Sequence, residues 1–174
     1  MAERTKLWIA ASMKRLMAKK PLDQIRVTEL CREAEIGRPA FYYHFKDKYD
    51  LVAWMFYHNA YQTDVISVDS AARALSQMKN DMVFYKRAYE DSSQNALWKY
   101  MVDYFVKRYT ELAKEKLSVD TLDTQLSYSI RFYCMGAVGM TREWVMDDNI
   151  TSAQTVVTMM FQSMPESLRN IYFP

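Results

Sequence analysis

The chain has 174 residues, half of them apolar, with 14% aromatics, two cysteines and a net charge of +2. That is long enough for a buried core and too apolar for a disordered segment. Three glycines and four prolines exclude a hairpin-rich fold, and two cysteines exclude a disulfide framework.

Residues 3–19 form the first predicted helix. Ile9, Met13 and Leu16 make its inner stripe, and Lys6, Lys14, Arg15, Lys19 and Lys20 decorate the outside. Pro21 ends it, because a residue before proline avoids helical backbone. Val27, Leu30, Cys31 and Ala34 then mark one face of a short helix. Thr28 stands at its start, where a hydroxyl can accept from an orphan backbone N–H. Glu35-Ile36-Gly37 breaks the pattern, with Gly37 supplying unusual backbone freedom and Ile36 an apolar pin. Arg38-Pro39 opens a second short helix, proline in the first turn. Its Phe41 and Phe45 face inward, while Arg38, Ala40, Tyr42, Tyr43 and His44 point elsewhere. A helix that short, with a basic and aromatic outer face, buries too little to exist for its own sake. A helix-turn-helix explains it: the second helix enters the major groove and the first crosses the backbone.

Asp47 is the expected cap of a fourth helix over 48–63. Ser67–Ser70 is a polar break, followed by helices at 70–78 and 80–90, the second capped by Asn80. After Asp91-Ser92-Ser93 a long helix spans 94–117, and another spans 120–147. The latter carries two apolar stripes: Leu122, Leu126, Ile130, Tyr133, Ala137, Met140 and Trp144 on one side, Phe132, Met135, Gly136 and Gly139 on the other. Thr151 with Gln154 forms a capping box for a last helix over 152–164, which Pro165 stops, leaving a short tail. The expected fold is all-α: a three-helix helix-turn-helix head over 1–47 and a helical body over 48–174.

The stretch from Val27 to Leu51 resembles the DNA-binding domain of the TetR family of transcriptional regulators. The matching residues are Thr28, the string Phe41-Tyr42-Tyr43-His44-Phe45, and Lys48 with Leu51. The aromatic-rich C-terminal half is similar to the subgroup that includes dihydroxyacetone-kinase operon activators. The family usually has glycine where Glu35 stands, serine or threonine where Gly37 stands, and often threonine where Ala40 stands. The resemblance implies phosphate contacts by Tyr42 and Lys48, with Thr28 helping, and base contacts from Arg38, Pro39, Ala40 and Tyr43, beside Gly37 and His44. It also implies a C-terminal domain that senses a small-molecule effector or, alternatively, is controlled by a protein co-regulator. Tyr85, Tyr89, Trp98, Met101, Tyr104, Phe105, Phe132 and Tyr133 are the expected pocket lining, with ordinary core packing as the plainer reading.

Charge placement fits a nucleic-acid partner. Residues 1–54 hold eleven Lys/Arg against seven Asp/Glu, a net +4, whereas the remainder holds twelve against fourteen, a net −2. No basic stub precedes an apolar run and no apolar segment reaches the length of a membrane span, so neither membrane nor secretion is expected and the cytoplasm is. No Cys/His cluster has metal-ligand spacing, and no phosphate-cradling glycine loop or nucleophile–base pair is present, so no metal, no cofactor and no enzyme activity are expected. A single recognition helix reads too few base pairs for useful specificity. A homodimer on a palindromic operator is therefore expected, joined through 120–147 and 152–164. Its expected interface residues are Gly136, Met140, Trp144, Val156, Val157, Met160, Phe161 and Met164.

Overall fold

The computed structural model describes residues 2–60, 66–91, 97–147 and 151–173. Their regular elements are all helical: α1 (Ala2–Met17), α2 (Val27–Glu33), α3 (Arg38–His44), α4 (Lys48–Ala60), α5 (Val68–Met78), α6 (Met82–Glu90), α7 (Leu97–Leu117), α8 (Thr124–Met146), α9 (Ala153–Gln162) and α10 (Glu166–Tyr172). Short 3-10 turns lie at Leu22–Gln24 and Lys79–Asp81.

The chain divides into two compact units, residues 1–62 with 77–97, and residues 63–76 with 98–174. The sequence boundary at 47/48 falls inside the first unit, which takes in α4 and α6 as well as the head. Within it α1 is the hub and touches α2, α3, α4 and α6. Ile9, Met13, Leu16 and Met17 on α1 are buried. Around the hub, Arg15 pairs with Glu33 at 2.7 Å, Lys20 with Glu29 at 2.6 Å, and Lys14 with Asp81 at 2.6 Å. The Lys6 ammonium lies 5.6 Å from the Phe45 ring centre and 5.7 Å from that of Trp54.

The α2–α3 turn departs from the sequence expectation. Gly37 has an ordinary extended conformation, φ −73°. The left-handed residue is Glu35, at φ 51°. Ile36 N–H donates to the Cys31 carbonyl at 3.0 Å and Glu35 N–H to that of Arg32 at 3.2 Å, the paired bonds of a Schellman ending. The family glycine thus has a physical reason, and Glu35 holds its conformation at a cost. Glu35→Gly should stabilise the first unit by about 1 kcal/mol, read as a higher midpoint in urea denaturation.

The caps also shift. Thr28 lies in the first turn of α2, whose N-cap is Arg26 with no side-chain cap bond. Asp47 does cap α4, accepting from the N–H groups of Tyr49 and Asp50 at 2.8 Å each. Asn80 lies within the 3-10 turn, and Asp81 precedes α6 with no side-chain cap bond. α5 begins earlier than expected because Ser67 and Ser70 cap each other reciprocally at 3.1 Å. α8 begins at Thr124, where Asp123 accepts from Leu126 N–H at 2.8 Å. Ser152, not Thr151, caps α9, accepting from Thr155 N–H at 3.1 Å. The end of the expected helix at 48–63, the start of that at 94–117 and the breaks at 92–93 and 148–149 lie outside the described residues.

In the second unit a core joins α7, α8 and α10. Tyr109 and Ala113 meet Ile130, Tyr133 and Cys134, with Met164, Leu168 and Tyr172 closing over them. The expected tail is therefore a helix: α9 ends at Gln162 with Ser163 as its C-cap, and Pro165 stands as the N-cap of α10, which buries Leu168 and Tyr172. The Tyr172 hydroxyl donates to the Tyr109 carbonyl at 2.9 Å, satisfying a buried phenol. Burial pushes the Cys134 thiol up to about 12, so it stays protonated and unreactive. Cys31 and Cys134 are both free and buried.

Candidate nucleic-acid interface

α3 is anchored by one face and open on the other. Phe41 and Phe45 are buried. Gly37, Arg38, Pro39, Ala40, Tyr42 and Tyr43 are exposed, Tyr43 at 80%. The Arg38 guanidinium lies 5.8 Å from the Tyr42 ring centre, and the rings of Tyr43 and His44 meet edge to face at 4.9 Å. His44 is half-buried, and Thr28 is exposed in the first turn of α2. Seven of the nine expected DNA-contact residues therefore form the exposed surface of α2, the turn and α3, with His44 at its margin.

Lys48 is different. Its ammonium donates to the carbonyls of Leu22, Asp23 and Ile25 at 2.8, 2.9 and 3.0 Å. Trp8 stands beside the inner stripe of α1, where the sequence pattern assigns it no particular partner. Its indole N–H donates at 2.9 Å to the carbonyl of Ala34, so α1 pins the point where α2 gives way to the turn.

The expected pocket residues scatter. Tyr85 and Tyr89 are buried in the first unit, while the other six belong to the second. Met101 and Tyr133 are buried, Trp98, Tyr104 and Phe105 are half-buried, and Phe132 is 79% exposed. The second unit does carry an open groove along the end of α7, bordered by Arg108, Glu111, Lys114, Glu115, Ser118 and Asp120, which is charged and not aromatic.

The expected interface residues divide as well. Gly136 and Met140 are exposed and Met160 and Phe161 half-buried, but Trp144, Val156, Val157 and Met164 are buried. Trp144 also donates its indole N–H to the Thr151 carbonyl at 2.8 Å. Tyr128, at 72% exposure, Phe132 and Met135 join Gly136, Gly139 and Met140 in one outward stripe on α8, with Met159 exposed on α9. A Cβ at Gly136 or Gly139 would meet nothing within 4 Å.

An anchored short helix behind a tight turn, with a basic and aromatic outer face, defines a helix-turn-helix transcriptional regulator. The family described as bacterial regulatory proteins of the tetR family matches residues 9–55, and that described as the C-terminal region of such transcriptional regulators matches residues 69–166. The chain belongs to the TetR family of transcriptional regulators. It is similar in fold to the solved structure of the dihydroxyacetone kinase operon activator DhaS, with 19% identity, a TM-score of 0.60, and coverage of 97% of this chain and 98% of that one. No curated protein matches the sequence. No helix among the described residues is long and apolar enough to cross a membrane.

Proposed function

We propose that the protein is a sequence-specific regulator that binds duplex DNA as a homodimer and acts by binding, not by catalysis, in the cytoplasm. The observation that carries this is α3: Phe41 and Phe45 fix one face, and Arg38, Ala40, Tyr42 and Tyr43 stand in solvent on the other. A helix so placed in the major groove can offer Arg38 to guanine O6 and N7 and Ala40 to a thymine methyl. Tyr42, beside the guanidinium of Arg38, and Thr28 are set to meet phosphate.

Dimerisation is supported by the outward stripe on α8. Two exposed aromatic rings, three exposed methionines and two glycines whose Cβ positions meet nothing within 4 Å give α8 and α9 an exposed apolar surface among the described residues. A two-fold axis through that surface would let each patch meet its own copy.

We place the effector, a small molecule, in the second unit, whose α7 carries the half-buried aromatics Trp98, Tyr104 and Phe105 beside the buried Met101. Calorimetric titration with metabolites tests this, and a protein captured by the folded chain in place of any metabolite would reassign the signal to a co-regulator.

Selection of bound duplexes from a random-sequence pool tests the DNA reading. Two-fold symmetric sites should be enriched, with half-sites spaced by about 34 Å or a multiple of it. A pool that returns unchanged would refute it.

A further inference from the structure

α3 has two joints, and the second is closed by a lysine whose three donors are all engaged. Lys48 is the first residue of α4. Its ammonium reaches the carbonyls of Leu22 at 2.8 Å, Asp23 at 2.9 Å and Ile25 at 3.0 Å. An ammonium has three N–H donors, so this set accounts for all of them. The three carbonyls belong to one 3-10 turn between α1 and α2, where Gln24 N–H donates to Pro21 and Ile25 N–H to Leu22. Leu22 and Ile25 are buried and hold that turn in place. Burial pushes the Lys48 ammonium below the ordinary lysine range, against the pull of Asp23, Asp91 and Asp47. The ring centre of Tyr49 lies 5.2 Å from it. On the same joint, Asp47 caps α4 and Asp50 accepts from Lys46 N–H at 2.9 Å. A phosphate could reach Lys48 only by displacing one of these short bonds in a partly desolvated site.

We infer that Lys48 is a positioning residue: it ties the α3–α4 joint to the α1–α2 turn, so setting how Arg38 and Tyr42 are presented, and it is not a phosphate ligand. Its effect on DNA rests on the duplex-binding reading above; its effect on the joint does not. Wild type, Lys48→Met and Lys48→Arg, as full chains, are compared by amide hydrogen exchange and by anisotropy titration of a labelled duplex from the random-sequence selection over a salt series. In Lys48→Met, exchange should quicken at residues 22–25 and 45–51 and stay unchanged at 130–138. Duplex affinity should fall about tenfold at fixed salt, with an unchanged slope of log affinity against log salt. Removing a phosphate ligand from each of two protomers would instead flatten that slope by about 1.8. Arginine keeps the charge but spreads its donors over a planar fork that cannot converge on three carbonyls. Lys48→Arg should therefore lose affinity too, and it carries the test if Lys48→Met fails to fold. A flattened slope with unchanged exchange, or Lys48→Arg binding like wild type, overturns the inference. If the wild type binds no duplex, the DNA reading alone fails, and exchange at 22–25 and 45–51 still decides the role of Lys48.

Discussion

Tyr128→Glu with Phe132→Glu is expected to turn a dimer into a folded monomer and to cost most of its operator affinity. The two side chains are 72% and 79% exposed in the single chain, so charge can be introduced without disturbing the core that faces the other way through Ile130, Tyr133 and Cys134. In a two-fold interface each new carboxylate enters twice, near its own copy, and must be desolvated there. Monomers lose the linkage that makes the second half-site an intramolecular encounter, worth roughly 10²–10⁴-fold in affinity. The head lies in the other unit and should melt as in wild type. Sedimentation velocity at micromolar concentration reads the state directly. A variant that still sediments as a dimer would move the interface elsewhere, and a wild type that is already a monomer would remove it.

The second large effect separates two neighbours on α3. Phe41 is fully buried, with its ring 5.9 Å from that of Phe45 and edge-on to Tyr42 at 5.3 Å. Truncating it removes buried area and leaves a cavity, so Phe41→Ala should cost about 3–5 kcal/mol. That is a large share of the roughly 5–15 kcal/mol that holds a domain together. Unfolding of the first unit and loss of duplex binding should arrive together. Tyr42→Ala, one residue on, removes a half-exposed ring and should shift stability by no more than about 0.5 kcal/mol. Its duplex affinity should nevertheless fall, by a similar factor across sequences, because a phosphate contact carries no base information. Thermal melts alongside duplex titrations distinguish the two losses. Phe41→Ala melting like wild type, or Tyr42→Ala binding like wild type, would mean that the inner and outer faces of α3 are misassigned.

The inner face of α3 was legible because Phe41 and Phe45 are four apart, and a helix puts such a pair on one side. The two stripes of α8 were legible for the same reason, Ile130 and Tyr133 meeting the core and Phe132 and Met135 not, but Met140, expected on the inner stripe, stands exposed on the outer one. What periodicity lacks is the identity of the facing surface. Trp144, Val156, Val157 and Met164 fall on good stripes and are spent inside the chain, while Tyr128 and Met159, outside those stripes, stand in solvent. The cap of α9 slipped by one residue to Ser152 because adjacent polar residues compete and backbone geometry selects between them, whereas α6 starts after Asp81 with no side-chain cap at all. Pro165 reads as a terminator from its left and as a helix start from its right, so α10 was missed. The strain at Glu35 is invisible in its residue type, and the pattern points instead to glycine two positions later as the source of the freedom the turn needs. The clamp at Lys48 joins residues 23 to 26 positions apart, a separation no local pattern encodes.

The most direct measurement is equilibrium binding of wild-type protein to a selected symmetric duplex and to a scrambled duplex of the same length, each over a salt series. Binding should weaken steeply with salt for both, since neutralised phosphates release counterions. At fixed salt the selected duplex should bind at least about 10³-fold more tightly, with two protomers on each duplex. Equal affinity for the two duplexes, or affinity indifferent to salt, would contradict a sequence-reading helix-turn-helix built on α3.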